Sequence, residues 1–342
     1  QGGSIRIEGT MYNSSGTTTE YKISPKFKDC VFKNNGGLVV EKGGAIAIYR
    51  GDPVFESCVF DTNLVFEKGG AVFVSEHSAP QFRNSTFTGN QASYTTVEYN
   101  NGQPIWRNIG GGAIYMHNAQ GIKIVNCTFS YNKAQTATSN ANGGAIEVSN
   151  NWFPSDDRQL IIDRSTFSYN SAASTNSSVF GGAISASSPI TIQNSLFYEN
   201  IIHATYHSEG GAIHIGIQTR TNQQTSQEEN GESFLINNTI VQNRVIAAAN
   251  NEAGVPQGNP AGAAGGVGLS SGQNTFGTWF NNIFWANQAQ GWQDIYWDSN
   301  FKLIFGNNVV EDIYGSQELT EAVTYSKYPN FTDTTKHLYS LS

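Results

Sequence analysis

A tandem motif constrains this chain more than any other feature. Gly-Gly-Ala followed by Ile or Val starts at Gly43, Gly69, Gly111, Gly143, Gly181 and Gly210, with looser copies at Gly2 and Gly265. A second motif, Phe-x-x-Asn, occurs at Phe32/Asn35, Phe60/Asn63, Phe87/Asn90, Phe129/Asn132, Phe167/Asn170, Phe197/Asn200 and Phe284/Asn287, with Ile240/Asn243 as a variant. The two alternate along the chain, and the closest Gly-Gly pairs, Gly43 and Gly69, are 26 residues apart. Self-similarity at such a period marks a stacked-repeat architecture, in which each unit buries its apolar face only against its neighbours.

Alignment on the Phe brings further columns into register. Two residues before it stand Cys30, Cys58, Ser85, Cys127, Ser165, Ser195, Asn238 and Asn282; three before it stand Asp29, Ser57, Asn84, Asn126, Arg164, Asn194, Asn237 and Asn281. Between the motifs, runs such as Ala45-Ile46-Ala47-Ile48-Tyr49 alternate with strand period. They are bounded by Gly, Asn or Pro, as short strands are. The Asn-rich column fits a corner with left-handed backbone, which Asn tolerates. Gly-Gly fits a tight bend that admits no Cβ.

Short strands wound in one sense, three to a coil, make a parallel β-helix in which equivalent residues stack about 4.8 Å apart. The strong bias of parallel crossovers makes it right-handed. The expected fold is therefore all-β: a single-stranded right-handed solenoid of about eight to ten coils, one domain over 1–342, with 288–342 as looser C-terminal coils. The Phe column becomes an internal aromatic ladder and the Asn column an internal amide ladder. Cys30, Cys58 and Cys127 share a column with Ser, so they are expected inward as small core residues and not as metal ligands.

Composition narrows the function. The net charge of −8 and the lack of any basic run argue against a nucleic-acid partner. No apolar stretch is long enough to span a membrane as a helix. The chain begins at Gln1, not Met, which points to a processed or excised product; a removed secretion signal would fit, though the sequence itself shows none. There is no nucleotide loop, zinc motif, Gly-x-Ser-x-Gly or heptad, and no cofactor is expected.

Gly-Gly-Ala-Ile alternating with Phe-x-x-Asn resembles the repeat of chlamydial polymorphic outer membrane proteins and of other bacterial β-helical surface proteins. Asn281–Tyr296 with Tyr328–Leu341 looks like the C-terminal coils of secreted β-helix proteins that carry a variable sorting anchor. The resemblance implies an extracellular, cell-surface solenoid acting in adhesion or as a structural unit. Its partners would be a host or cell-surface protein or glycan, or copies of itself stacked end to end into a fibre.

The rival expectation is a polysaccharide lyase or hydrolase. After each Gly-Gly-Ala-Ile the next residue is Ala47, Phe73, Tyr115, Glu147, Ser185 and His214, and two further on come Tyr49, Ser75, His117, Ser149, Ser187 and Gly216. Period-2 alternation turns both sets outward. Tyr115, His117, Glu147 and His214 then form a candidate acid–base patch, although Glu147 is the one carboxylate in its column. Loop aromatics Tyr99, Trp106, Trp152 and Phe153 are candidate ligand contacts, and Asp156-Asp157 a candidate cation site.

Overall fold

A computed structural model describes residues 3–95, 99–149, 159–216, 220–221, 228–229, 231–247, 262–270, 275–291, 293–297, 301–315, 331–333 and 338–341. Within these residues the chain winds through five parallel sheets per full coil. Sheet 1 stacks ten strands, from Ile5–Glu8 through Ile114–His117 to Ile313–Gly315. Sheets 2 and 3 each stack nine, from Lys26–Lys28 to Phe301–Gly306 and from Val31–Lys33 to Val309–Val310. These three close around the main core, as expected of a right-handed parallel β-helix.

The stacking is literal. Phe32, Phe60, Phe87, Phe129, Phe167 and Phe197 form one file with centroid spacings of 4.5–4.8 Å. A second file, Phe27, Phe55 and Phe82, meets the first edge-on. Burial of each such ring contributes about 1.5–3 kcal/mol. Beside them the amides of Asn63, Asn90, Asn132, Asn170, Asn200, Asn243 and Asn287 are fully buried. All but Asn287 donate to the carboxamide oxygen of the next coil, as Asn90 does to Asn132 at 2.9 Å. The ladder ends on Asp294, which accepts from Asn287 Nδ2 at 2.7 Å.

Backbone conformation explains both sequence columns. All eight residues three before the Phe position, from Asp29 to Asn281, have φ between 49° and 57°. The residue before each ladder Asn, including Thr62, Gly89, Tyr131, Tyr169 and Glu199, forms a second left-handed corner with φ of 52–63°. At Gly143, φ is 59° and an added Cβ would lie 2.0 Å from the Ile146 carbonyl oxygen. At Gly112 an added Cβ would lie 2.1 Å from the Gly144 carbonyl oxygen of the next coil. The coils thus approach more closely at Gly-Gly than any side chain permits.

The cysteines sit as expected. Cys58 and Cys127 are buried and Cys30, in the first rung, is partly buried; all three are free thiols. Burial raises the thiol pKa of Cys58 and pushes that of Cys127 up to about 11.

Two further sheets lie beside the triangular core, where loops alone had been expected. Sheet 4 stacks six strands: Leu64–Val65, Gln91–Tyr94, Lys133–Thr136, Ser171–Ser174, Ile201–Ala204 and Arg244–Ala247. Sheet 5 stacks five two-residue strands: Ile109–Gly110, Ala141–Asn142, Val179–Phe180, Ser208–Glu209 and Gly262–Ala263. The inner faces of sheets 4 and 5 pack on each other in two small cores, one around Ala92, Ile109, Ala134 and Ala141, the other around Ala172, Val179, Ile202 and Val245.

Candidate functional site

Sheet 5 decides the fate of the expected acid–base patch. Its second residues, which directly precede Gly-Gly in most coils, turn back onto the outer face of sheet 1. The Tyr115–Glu147–His214 column does point away from the main core, but the expectation that it is open to solvent is corrected: Tyr115 is 2 % exposed, Glu147 9 % and His214 7 %. The column is the filling of a seam between two sheets.

Within the seam each polar group has a specific neighbour. Lys68 Nζ lies 4.3 Å from the Tyr115 ring centroid and donates to its hydroxyl at 2.7 Å. Phe73 stacks beneath Tyr115 with centroids 5.8 Å apart. Glu147 occupies the hole left by Gly110, where an added Cβ would lie 1.3 Å from Glu147 Oε2. Asn142 Nδ2 donates to Glu147 Oε1 at 3.3 Å. Burial pushes the Glu147 carboxyl up to about 7, with Lys68 opposing the shift.

His214 sits in successive rungs after Glu147 and Ser185, so it is two rungs away and does not touch the carboxylate. It contacts Ser270 Oγ through Nε2 at 2.7 Å and leans on Phe180 with centroids 4.6 Å apart. Burial pushes it down to about 4, so it is neutral near pH 7. Glu209 Oε2 is 3.8 Å from His214 Nε2, and Glu209 Oε1 is 2.6 Å from His207 Nε2. His117 lies at the half-buried margin, 2.7 Å from the Ser149 carbonyl oxygen through Nδ1. The structure therefore gathers Tyr115 and Glu147 with Lys68 and Asn142, and separately His214 with Glu209. Neither group meets solvent in a way that would admit a polymer.

Of the loop candidates, Tyr99 falls in a short antiparallel pair, Tyr99–Asn100 with Gln103–Pro104. Trp106 is 64 % exposed. Trp152, Phe153, Asp156 and Asp157 lie outside the described residues. Among the described residues no group of three or more His, Cys, Asp and Glu side chains could hold a metal ion, and no helix is long and apolar enough to cross a membrane.

Among the described residues an open concavity lies elsewhere, on the outer face of sheet 4. It is a groove of about 780 Å³. Ser171, Ala173 and Thr175 form its low floor; Lys133 and Gln135 rise on the preceding rung, and Ile201, His203 and Thr205 on the following one. Tyr169 closes one corner, stacked on Tyr131 at 4.9 Å and 5°. None of its lining residues is a carboxylate. Desolvation, then Lys133 and Arg244, lower the pKa of His203.

Sequence reasoning missed Lys68, Asn142, Glu209, Lys133, Tyr169 and His203. The signal was present as fixed offsets: the first three directly precede a Gly-Gly, and the others stand one before, one after or three after a ladder Asn.

A family model described as a right-handed β-helix region matches residues 11–212. No curated protein and no solved structure matches the chain.

Proposed function

Because the chain belongs to the right-handed β-helix family, with its interior taken up by stacking, we propose that it acts through its surface, as a secreted or cell-surface adhesive solenoid and not as an enzyme. One observation carries this reading. Among the described residues, the acid–base column expected of a lyase or hydrolase is sealed beneath sheet 5, with Glu147 and His214 both under 10 % exposed, while the open groove over sheet 4 is lined by no carboxylate. Glycoside hydrolysis generally needs two carboxyl groups flanking the scissile bond. A binding face on a rigid scaffold needs only shape and matched polar groups.

The test is to incubate the chain with panels of acidic glycans, neutral glycans and extracellular proteins, following both retention and product release. We expect saturable retention with unchanged polymer length. Cleavage that disappears in Glu147→Gln or His117→Ala would replace this reading with the enzymatic one.

A further inference from the structure

We propose that Cys30 and Cys58 are a redox pair, which a small disulfide such as oxidised glutathione converts into a cystine that clamps two successive coils together. This chemistry belongs to the coil itself and is independent of any ligand on its surface.

The repeat brings the two thiols together. The column two residues before the Phe ladder reads Cys30, Cys58, Ser85, Cys127, Ser165, Ser195, Asn238 and Asn282, so cysteine stacks on cysteine at its first step alone. The strands that follow pair in register, Val31 with Val59 and Phe32 with Phe60. The corners that precede match as well, with φ of 53° at Asp29 and 52° at Ser57. Two hydrogen bonds between the coils bracket the pair: Asp29 N–H donates to the Glu56 carbonyl at 3.0 Å, and Val59 N–H to the Cys30 carbonyl at 2.9 Å. Cys58 Sγ is reached by both the backbone N–H and the thiol of Cys30.

This stacking meets the requirements of a disulfide. A rung step of about 4.8 Å lies inside the roughly 4.4–6.8 Å over which Cα atoms are bridged. The Cβ atoms of a disulfide stand about 3.5–4.5 Å apart, so closure draws the two corners together by about a few tenths of an ångström. Cys127 gives the internal contrast. Its neighbours in the column are Ser85, whose N–H donates to Cys127 Sγ at 3.4 Å, and Ser165, whose hydroxyl accepts from Cys127 N–H at 3.1 Å. It shares the column and the burial but has no thiol one rung away.

Burial assigns the order of events. Cys30 is partly buried, whereas Cys58 is 1 % exposed. The thiolate is the attacking species and access sets its rate, so Cys30 reacts first. Its sulfur bonds to one sulfur of oxidised glutathione, and the other leaves as glutathione thiolate. Cys58, as thiolate, then attacks the Cys30 sulfur and expels the second glutathione. Two protein thiols have lost two electrons and two protons, and one glutathione disulfide has become two thiols. The new bond fastens the rung of Phe27 and Phe32 to the rung of Phe55 and Phe60, on which those rings already stack. Phe32 is 8 % exposed and Phe60 fully buried, so the outer of these two rungs gains most from being held.

The experiment equilibrates the fully reduced chain with glutathione buffers of graded oxidised-to-reduced ratio. Remaining thiols are alkylated after denaturation, and non-reducing peptide mapping by mass spectrometry locates each sulfur. The expected product lacks two hydrogens, alkylates at Cys127 alone and yields one linked peptide, Cys30 to Cys58. Hydrogen exchange across residues 26–33 should slow by at least about ten-fold relative to the reduced chain, and dithiothreitol should restore it. Cys127→Ser should oxidise in the same way. Cys30→Ser, a change the column already accepts at Ser85, should give no linked peptide. Three alkylated cysteines in every buffer overturn the proposal, as does oxidation that stops at a glutathione adduct on Cys30 or that links Cys127. A Cys30–Cys58 bond that leaves exchange across 26–33 unchanged overturns the clamp.

Discussion

Asn132 Nδ2 lies 3.0 Å from Asn170 Oδ1 and, on its other side, 2.9 Å from the Phe87 carbonyl oxygen, while Asn132 Oδ1 accepts from the backbone and side chain of Asn90. Every hydrogen-bonding position of this buried amide is occupied by the coil above or below. The relationship is repeated rung after rung, so the ladder works as one connected network.

Asn132→Ala strands the Asn90 backbone N–H, one Asn90 amide hydrogen and the Phe87 carbonyl inside the core. At about 1–3 kcal/mol for each unsatisfied group, the loss should reach roughly 3–5 kcal/mol, read as a lower urea midpoint. The same change at Asn35, which is only partly buried in the first rung, should cost about 1 kcal/mol. Equal losses at the two positions would show that the ladder has no special weight.

Gly112→Ala sets a Cβ 2.1 Å from the Gly144 carbonyl oxygen and 2.5 Å from the Lys133 backbone nitrogen. Neither atom can move without breaking a rung. We expect at least about 4 kcal/mol of destabilisation, or no soluble product. Gly102→Ala is the control: its φ is +76° but nothing lies within 4 Å, so only the backbone penalty of roughly 1 kcal/mol applies. If the two variants melt together, close approach is not what selects glycine at 112.

Glu147 makes stability depend on pH. Its carboxyl is pushed from 4.5 up to about 7 by burial, so the folded state holds a proton that the unfolded chain has already released between those values. That contribution is full below about pH 4.5 and is lost as pH rises through 7. Glu147→Gln keeps the shape without the charge. It should therefore stabilise the chain on the order of 3 kcal/mol at pH 8 and by almost nothing at pH 4. His214, pushed from 6.5 down to about 4, runs the other way: its contribution is present above pH 6.5 and is lost as pH falls towards 4. Denaturant midpoints of both chains across pH 4–8 check the sign; a constant difference would refute the burial of Glu147.

Cys127 is 2 % exposed, with its thiol pushed up to about 11, and the thiolate is the reactive species. In the native chain Cys30 should label first with a maleimide, and Cys58 and Cys127 only at the rate of unfolding. Peptide mapping by mass spectrometry reads the order. Fast labelling of Cys127 in native buffer would place it outside the core.

The central triangle was legible from residue types because its geometry tolerates few of them. Phe60, Phe87 and Phe129 must be flat and apolar to stack, Asn63 and Asn90 must offer both donor and acceptor, and Asn84 and Asn126 must accept a left-handed backbone. Sheets 4 and 5 were not legible. Their strands are two to four residues long, and they hold Lys133, Ser171 and Ile201 at equivalent positions, since an outward site on a stacked strand imposes no residue type. Strand alternation correctly turned Tyr115, Glu147 and His214 away from the main core, but it carries no information about a second sheet folding over them. The second file of left-handed corners was hidden for a related reason: Thr62, Tyr131 and Glu199 share a φ near 50–60° without sharing any chemistry.

The outer positions of sheet 4 belong to neither the Phe nor the Asn ladder, and each pairs with the rungs on either side through backbone alone. Exchanging one of these side chains leaves the spine untouched, and adding a whole coil would lengthen spine and outer face together by about 4.8 Å. The molecule is in that sense a ruler with rewritable marks: reach is counted in turns, and taste is edited one turn at a time.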